Sequence, residues 1–193
     1  MKRICVYCGS SQGIRSDYQA AAQALGTELV KHQLGLVYGG AKVGLMGIVA
    51  DAVLQQGGEV IGVIPQALLD KELDHQGLTE LHVVNSMHER KQRMAELSDA
   101  FIALPGGYGT LEELSEITTW TQLGLHHKPC GVLNIAGFYD GLMQFLDHAT
   151  AEGFIRPEHR SIILNAADPA ELILQLQTTK LPTCTKWINP QQL

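Results

Sequence analysis

Three times in this chain a short apolar run ends in a glycine-rich turn and is followed by helical spacing. Residues 4–7 lead into Gly9-Ser10-Ser11, residues 34–38 into Gly39-Gly40, and residues 100–104 into Pro105-Gly106-Gly107-Tyr108-Gly109-Thr110. Short runs of branched and aromatic residues without polar alternation read as strands buried on both faces. Strands that alternate with helices pair in parallel, and the helices then cover both faces of the sheet. The pattern continues along the chain. It predicts helices over residues 17–33, 44–56, 87–97, 139–152 and 168–177, and one that follows Thr110 with apolar spacing from Leu114 to Leu125. Further strands are expected at residues 60–64, 81–84, 131–135 and 162–164. Asp17 is placed to cap the first helix, and Asp168-Pro169 to open the last. Residues 66–80 show no clear pattern. The expectation is one α/β domain over residues 1–180 and an irregular tail over residues 181–193. Ligands of open parallel sheets bind beyond the carboxyl ends of the strands. Gly9, Gly40 and Gly106 should therefore share one rim.

Charge narrows the partners. The 193 residues carry a formal charge of −6 and a pI of about 5.7. An acidic chain lacks the basic footprint of a general nucleic-acid binder. No apolar run reaches the roughly 18 residues that span a bilayer. Met1-Lys2-Arg3 is followed by too short an apolar stretch for a secretory leader. The chain has four cysteines. Cys5 and Cys8 form a C-x-x-C that redox chemistry or a metal could use. No second cysteine pair completes a zinc site, and both fall on a strand and its end, where a buried thiol is ordinary. A reduced, cytoplasmic setting fits best.

The turn at residues 105–113 carries the most chemistry. Bare backbone N–H groups at the positive end of a helix dipole form a ready anion site, and phosphate is its common guest. Glu112 and Glu113 follow, expected in the first turn of the same helix, and Glu116 lies one turn on. Thr110-Leu111-Glu112-Glu113 has a competing explanation as a capping box, in which the hydroxyl caps the helix and the glutamate reaches back. Residues 39–47 form a second glycine loop whose spacing is not the dinucleotide fingerprint. In Ser86-Met87-His88-Glu89-Arg90-Lys91, cations stand where a helix dipole disfavours them. An anion held between Arg90 or Lys91 and the glycine turn would account for that. His88 reads as a surface residue.

The pairing of Met87-His88-x-Arg90-Lys91 with Pro105-Gly106-Gly107-x-Gly109-Thr110-x-x-Glu113 resembles the LONELY GUY (LOG) family, the cytokinin riboside 5′-monophosphate phosphoribohydrolases. The likeness extends over about residues 2–178 and takes in residues 6–11, 38–40 and 117–124. It implies a Rossmann-like fold, a homodimer with its site completed across the subunit interface, and no cofactor. The implied reaction is hydrolysis of the bond between ribose 5-phosphate and an adenine-type base. Arg90 and Glu113 are the implied catalytic pair, and Gly106, Gly107, Gly109 and Thr110 the phosphate seat. Lys91, Glu72, Glu112 and Thr119 are implied to line the nucleotide site, joined by Met87, Tyr108, Gly40 and Ser10. Cleaving a ribosyl–nitrogen bond builds positive charge on the sugar, which a carboxylate can stabilise while orienting water. The family's older label, lysine decarboxylase-like, finds no support: that reaction normally uses pyridoxal phosphate on a lysine, and no such lysine is identifiable. A general AMP nucleosidase and a non-catalytic nucleotide-binding module remain as alternatives.

Overall fold

The computed structural model describes residues 1–71 and 75–182. Glu72, Cys184 and most of the expected irregular tail lie outside the described residues. Seven strands form one wholly parallel sheet: β1 (Arg3–Tyr7), β2 (Gly35–Tyr38), β3 (Val60–Pro65), β4 (Glu80–Val84), β5 (Ala100–Ala103), β6 (Cys130–Leu133) and β7 (Ile163–Ala166). Their order across the sheet is β4-β3-β2-β1-β5-β6-β7. β1 is central, with Cys5 opposite Val37 on one side and Phe101 on the other. The connecting helices are α1 (Ser16–Lys31), α2 (Gly44–Leu54), α3 (Gln66–Leu69), α4 (Met87–Leu97), α5 (Tyr108–Gln122), α6 (Asp140–Ala151), α7 (Pro157–Arg160) and α8 (Pro169–Thr178).

Side chains alternate along each strand and so feed two cores. Ile4, Val6 and Leu36 pack with Leu25, Leu29, Val49, Val53 and Leu172 from α1, α2 and α8. Cys5, Tyr7, Val37 and Phe101 pack with Met94 of α4 and Ile117 of α5. Cys5 and Cys8 are buried free thiols in different cores, the ordinary reading of that C-x-x-C.

Three local expectations change. Asp17 does not cap α1. The helix begins at Ser16, and the Asp17 carboxylate accepts Arg15 Nε at 2.8 Å. Residues 66–80 contain a one-turn helix, α3, and the start of β4. α5 begins at Tyr108, two residues before Thr110, so its first turn holds no acidic residue. Glu112 and Glu113 fall in the second turn instead. Thr110 is then inside the helix, and no side chain caps it. The capping-box explanation of Thr110 and Glu113 fails on that placement.

The chain reverses its direction of winding between β1 and β5, and a crevice opens there. Gly9 donates its N–H to Pro105 O at 3.1 Å, and Leu45 donates to Gly9 O at 3.1 Å. The glycine turns after β1, β2 and β5 thus meet at one rim, as expected.

Candidate active site

The rim encloses a cavity of about 470 Å³. β1 and its turn contribute Tyr7, Cys8 and Ser10 to its wall; the turn after β2 contributes Gly39 and Ala41; α3 contributes Leu68. α4 contributes Met87, Arg90 and Met94; Gly107 joins them, and α5 contributes residues 108–110 with Glu112 and Glu113. A wider depression of about 740 Å³ lies at the opposite end of the sheet, near Met1, Asp99 and Pro129. It gathers no comparable set of charged groups.

Arg90 is buried, and its guanidinium is tied to the ends of two strands. Nε donates to Val63 O at 3.0 Å and Nη2 to Gly39 O at 3.1 Å. Nη1 is left on the Glu113 side, 3.8 Å from Oε1, with both side chains about one-tenth exposed. That separation exceeds a hydrogen bond, so neither charge is locked to the other. Gly39 is required here: a Cβ would come within 1.9 Å of Arg90 Nη2.

Burial pushes the Glu113 carboxyl up to about 7. Arg90 opposes that rise, Glu112 and Glu116 add to it, and Lys91 again opposes it. A carboxyl poised near neutrality is suited to proton transfer.

The glycine turn divides into two kinds of position. At Gly106 a Cβ would lie 2.1 Å from Thr110 Oγ1, so packing alone demands glycine. At Gly107 and Gly109 a Cβ would meet nothing within 4 Å. Packing does not require glycine at either, and the bare backbone at the start of α5 faces open space in the cavity.

Most of the expected site residues converge. Arg90, Glu113, Met87, Ser10, Gly107, Tyr108, Gly109, Thr110 and Glu112 all line this cavity. Gly106 lies behind them, on a smaller adjoining cavity of about 290 Å³. Gly40 lies between two lining residues, Gly39 and Ala41, and does not itself line the cavity. Lys91 does not line the cavity; its Nζ turns to Glu112, and to Glu116 at 3.1 Å. Thr119 is exposed on α5 and donates to Ser115 O at 2.7 Å, away from the cavity of its own chain. His88 is exposed, beside a groove between α4 and α5. Sequence reasoning missed the apolar wall of Ala41, Val43, Met46, Leu68 and Met94. Their only sequence signal is apolarity, which core residues share.

Among the described residues no group of three or more histidine, cysteine or carboxylate side chains is placed to hold a metal. No helix among them is long and apolar enough to cross a membrane.

A family model described as "Possible lysine decarboxylase" matches residues 46–176. Cytokinin riboside 5′-monophosphate phosphoribohydrolase LOG3 of Arabidopsis thaliana is 54% identical over 176 residues, covering 91% of this chain and 82% of that protein. The enzyme named LOG in Oryza sativa subsp. japonica is also 54% identical over 176 residues, covering 91% and 73%. Among solved structures, the molybdenum cofactor carrier protein of Chlamydomonas reinhardtii superposes with a TM-score of 0.71 at 21% identity, covering 92% of this chain and 99% of that one. The molybdenum cofactor binding protein of Rippkaea orientalis gives 0.70 at 20% identity, covering 92% and 97%. At such identities the structural likeness speaks for the fold.

Proposed function

This chain belongs to the LONELY GUY family of cytokinin riboside 5′-monophosphate phosphoribohydrolases, and on that premise we propose that it hydrolyses the N-glycosidic bond of adenine-type nucleoside 5′-monophosphates. Free base and ribose 5-phosphate are the products. One observation carries the reading: unobstructed glycine backbone at the start of α5 shares a cavity with a buried Arg90–Glu113 pair. At 1.5 Å per residue, Gly109 and Glu113 stand about 6 Å apart along the helix axis. That is the scale of a sugar phosphate. The phosphate sits on the N–H groups of residues 107–110, and the ribose lies along α5 toward Glu113.

In the reaction the C1′–N9 bond breaks and its electron pair leaves with the base, which takes up a proton from bulk water. Water oxygen bonds to C1′, and Glu113 receives the proton that the water gives up. Glu113 also offsets the positive charge that builds on the sugar. Arg90, immobilised by Gly39 O and Val63 O, holds a fixed positive charge at the substrate. The phosphate anchors the sugar away from the breaking bond, so its binding energy positions the reacting atoms. The apolar wall of Val43, Met46, Leu68, Met87 and Met94 suits an isoprenoid-bearing adenine. No lysine lines the cavity among the described residues, which speaks against a lysine-bound cofactor and a decarboxylase.

The protein works as a cytoplasmic homodimer. The half-buried Trp120 and Leu125 border the groove between α4 and α5, and Leu111 and Met87 are exposed nearby on the same two helices. Pairing through this face would give the exposed Thr119 a place at the partner's site.

The test is incubation with AMP, isoprenoid-substituted AMP, adenosine and ADP, with chromatography of free base and ribose 5-phosphate. Losing two or three charge-assisted hydrogen bonds at roughly 1.5–3 kcal/mol each should cost adenosine at least about a hundredfold in kcat/KM. Equal rates on adenosine and AMP would remove the phosphate seat from the mechanism. Equal rates on both monophosphates would make the protein a general AMP nucleosidase. Tight binding without product would make it a binding module.

A further inference from the structure

Two consecutive carbonyls of the turn after β2 each accept a hydrogen bond from a different segment of the chain. Gly39 O accepts Arg90 Nη2 at 3.1 Å. Gly40 O accepts the backbone N–H of His75 at 2.9 Å. Gly40 has a φ of +76°, a conformation that favours glycine and persists where the surroundings hold it. His75 belongs to the connection between β3 and β4, the same connection whose Leu68 walls the cavity. Its imidazole is only 11% exposed. Nδ1 lies 2.7 Å from Gln76 O, and Nε2 lies 3.1 Å from Asp51 Oδ1 on α2. Both neighbours are acceptors, and the ring bridges them. A path of direct contacts therefore runs from Asp51 through His75, Gly40 and Gly39 to Arg90 and on to Glu113.

We propose that His75 and Asp51 are positioning residues for the reaction: together they fix the Gly39-Gly40 turn that aims the Arg90 guanidinium at the substrate. Neither side chain lines the cavity. Asp51 fastens the β3–β4 connection to α2, and His75 carries that attachment to the turn. Small misplacements of a catalytic group are costly, because catalysis depends on geometry held to a fraction of an ångström. The inference rests on the proposed hydrolysis.

The experiment compares the unaltered chain with His75→Ala, Asp51→Ala and the double variant on AMP and isoprenoid-substituted AMP. Asp51→Asn keeps an acceptor and the side-chain shape, and serves as the conservative variant. Circular dichroism identifies folded variants. In His75→Ala and Asp51→Ala, kcat should fall about tenfold, KM should rise by less than that, and AMP affinity should drop severalfold. The double variant should be no worse than the poorer single one, because both break the same path. Asp51→Asn should retain most activity. If Asp51→Ala fails to fold, His75→Ala and Asp51→Asn decide alone: His75→Ala should lose about tenfold in kcat while Asp51→Asn retains most of it, and a His75→Ala protein within twofold of the unaltered chain, or an Asp51→Asn protein that loses tenfold, would overturn the proposal. Values of kcat within twofold of the unaltered chain for both alanine variants would overturn the proposal, as would losses that multiply in the double variant. Absence of product from the unaltered chain would defeat the hydrolase reading separately. AMP affinity would then decide the positioning role, and unchanged affinity in both alanine variants would overturn it.

Discussion

At Glu113 stability and activity pull in opposite directions. Its carboxyl is raised by burial from an ordinary 4.5 to about 7 in the fold. The folded chain therefore holds this proton more tightly than the unfolded chain does. Between those two values stability falls as pH rises, and above about 7 the full cost of burying the charge is present. That cost is on the order of 3 kcal/mol. Glu113→Gln should accordingly melt higher than the unaltered protein at pH 8, match it near pH 4, and lose nearly all turnover at both. Thermal unfolding at the two pH values checks the first part, and a variant that melts lower at pH 8 would contradict it. The unaltered enzyme should show a limb near pH 7 in kcat/KM, which ionisation of Glu113 would produce. Sequence spacing puts Glu113 four residues beyond Gly109, and in the structure both line the same cavity. It could not decide between catalysis and capping, because that hangs on which residue starts the helix. Thr110 inside α5 settles the point against the cap.

The two helices at the site start by different means. α4 has a reciprocal cap: Ser86 Oγ accepts Glu89 N–H at 3.1 Å, and Glu89 Oε2 accepts Asn85 N–H at 2.8 Å. Ser86→Ala should cost about 1 kcal/mol in denaturant unfolding. It should also loosen the end of α4 that bears Arg90, whose N–H donates to Ser86 O at 3.0 Å. α5 begins at Tyr108, after Gly107, with no side-chain cap, so its first N–H groups are free for a ligand. Gly109→Ala meets no steric obstacle and replaces a poor helix former. It should hold or raise stability by up to roughly 1 kcal/mol, yet raise KM for the monophosphate several-fold. A fall in stability with KM unchanged would show that Gly109 serves the fold rather than the phosphate. The long apolar periods and glycine stops made these helices readable in advance. The one-turn helices α3 and α7 escaped because four residues carry too little periodicity to distinguish them from turns.

At the scale of the whole molecule, local pattern foretold a parallel α/β sheet but not its strand order. Order is set by which helix faces fit together across distant segments, and no stretch of chain records it alone. The consequence for the site was still legible, because glycine turns that follow strands must gather on one rim whatever the order. The apolar wall was not legible, since Met46, Leu68 and Met94 look like core until the cavity is seen. The groove beside Trp120 leads to a prediction at this scale: light scattering at micromolar concentration should give twice the chain mass. Trp120→Glu should halve that mass and lower turnover together; a fully active monomer would remove the partner from the site. Arg90, finally, is a charge that doubles as a fastener, binding α4 to the ends of β2 and β3. Sort a library of random variants by how much protein accumulates in the cell, and changes at Arg90 should vanish beside those of the hydrophobic core. Changes at Glu113 should survive or be enriched in the same library. Selection for abundance alone would thus preserve one half of the proposed catalytic pair and erode the other.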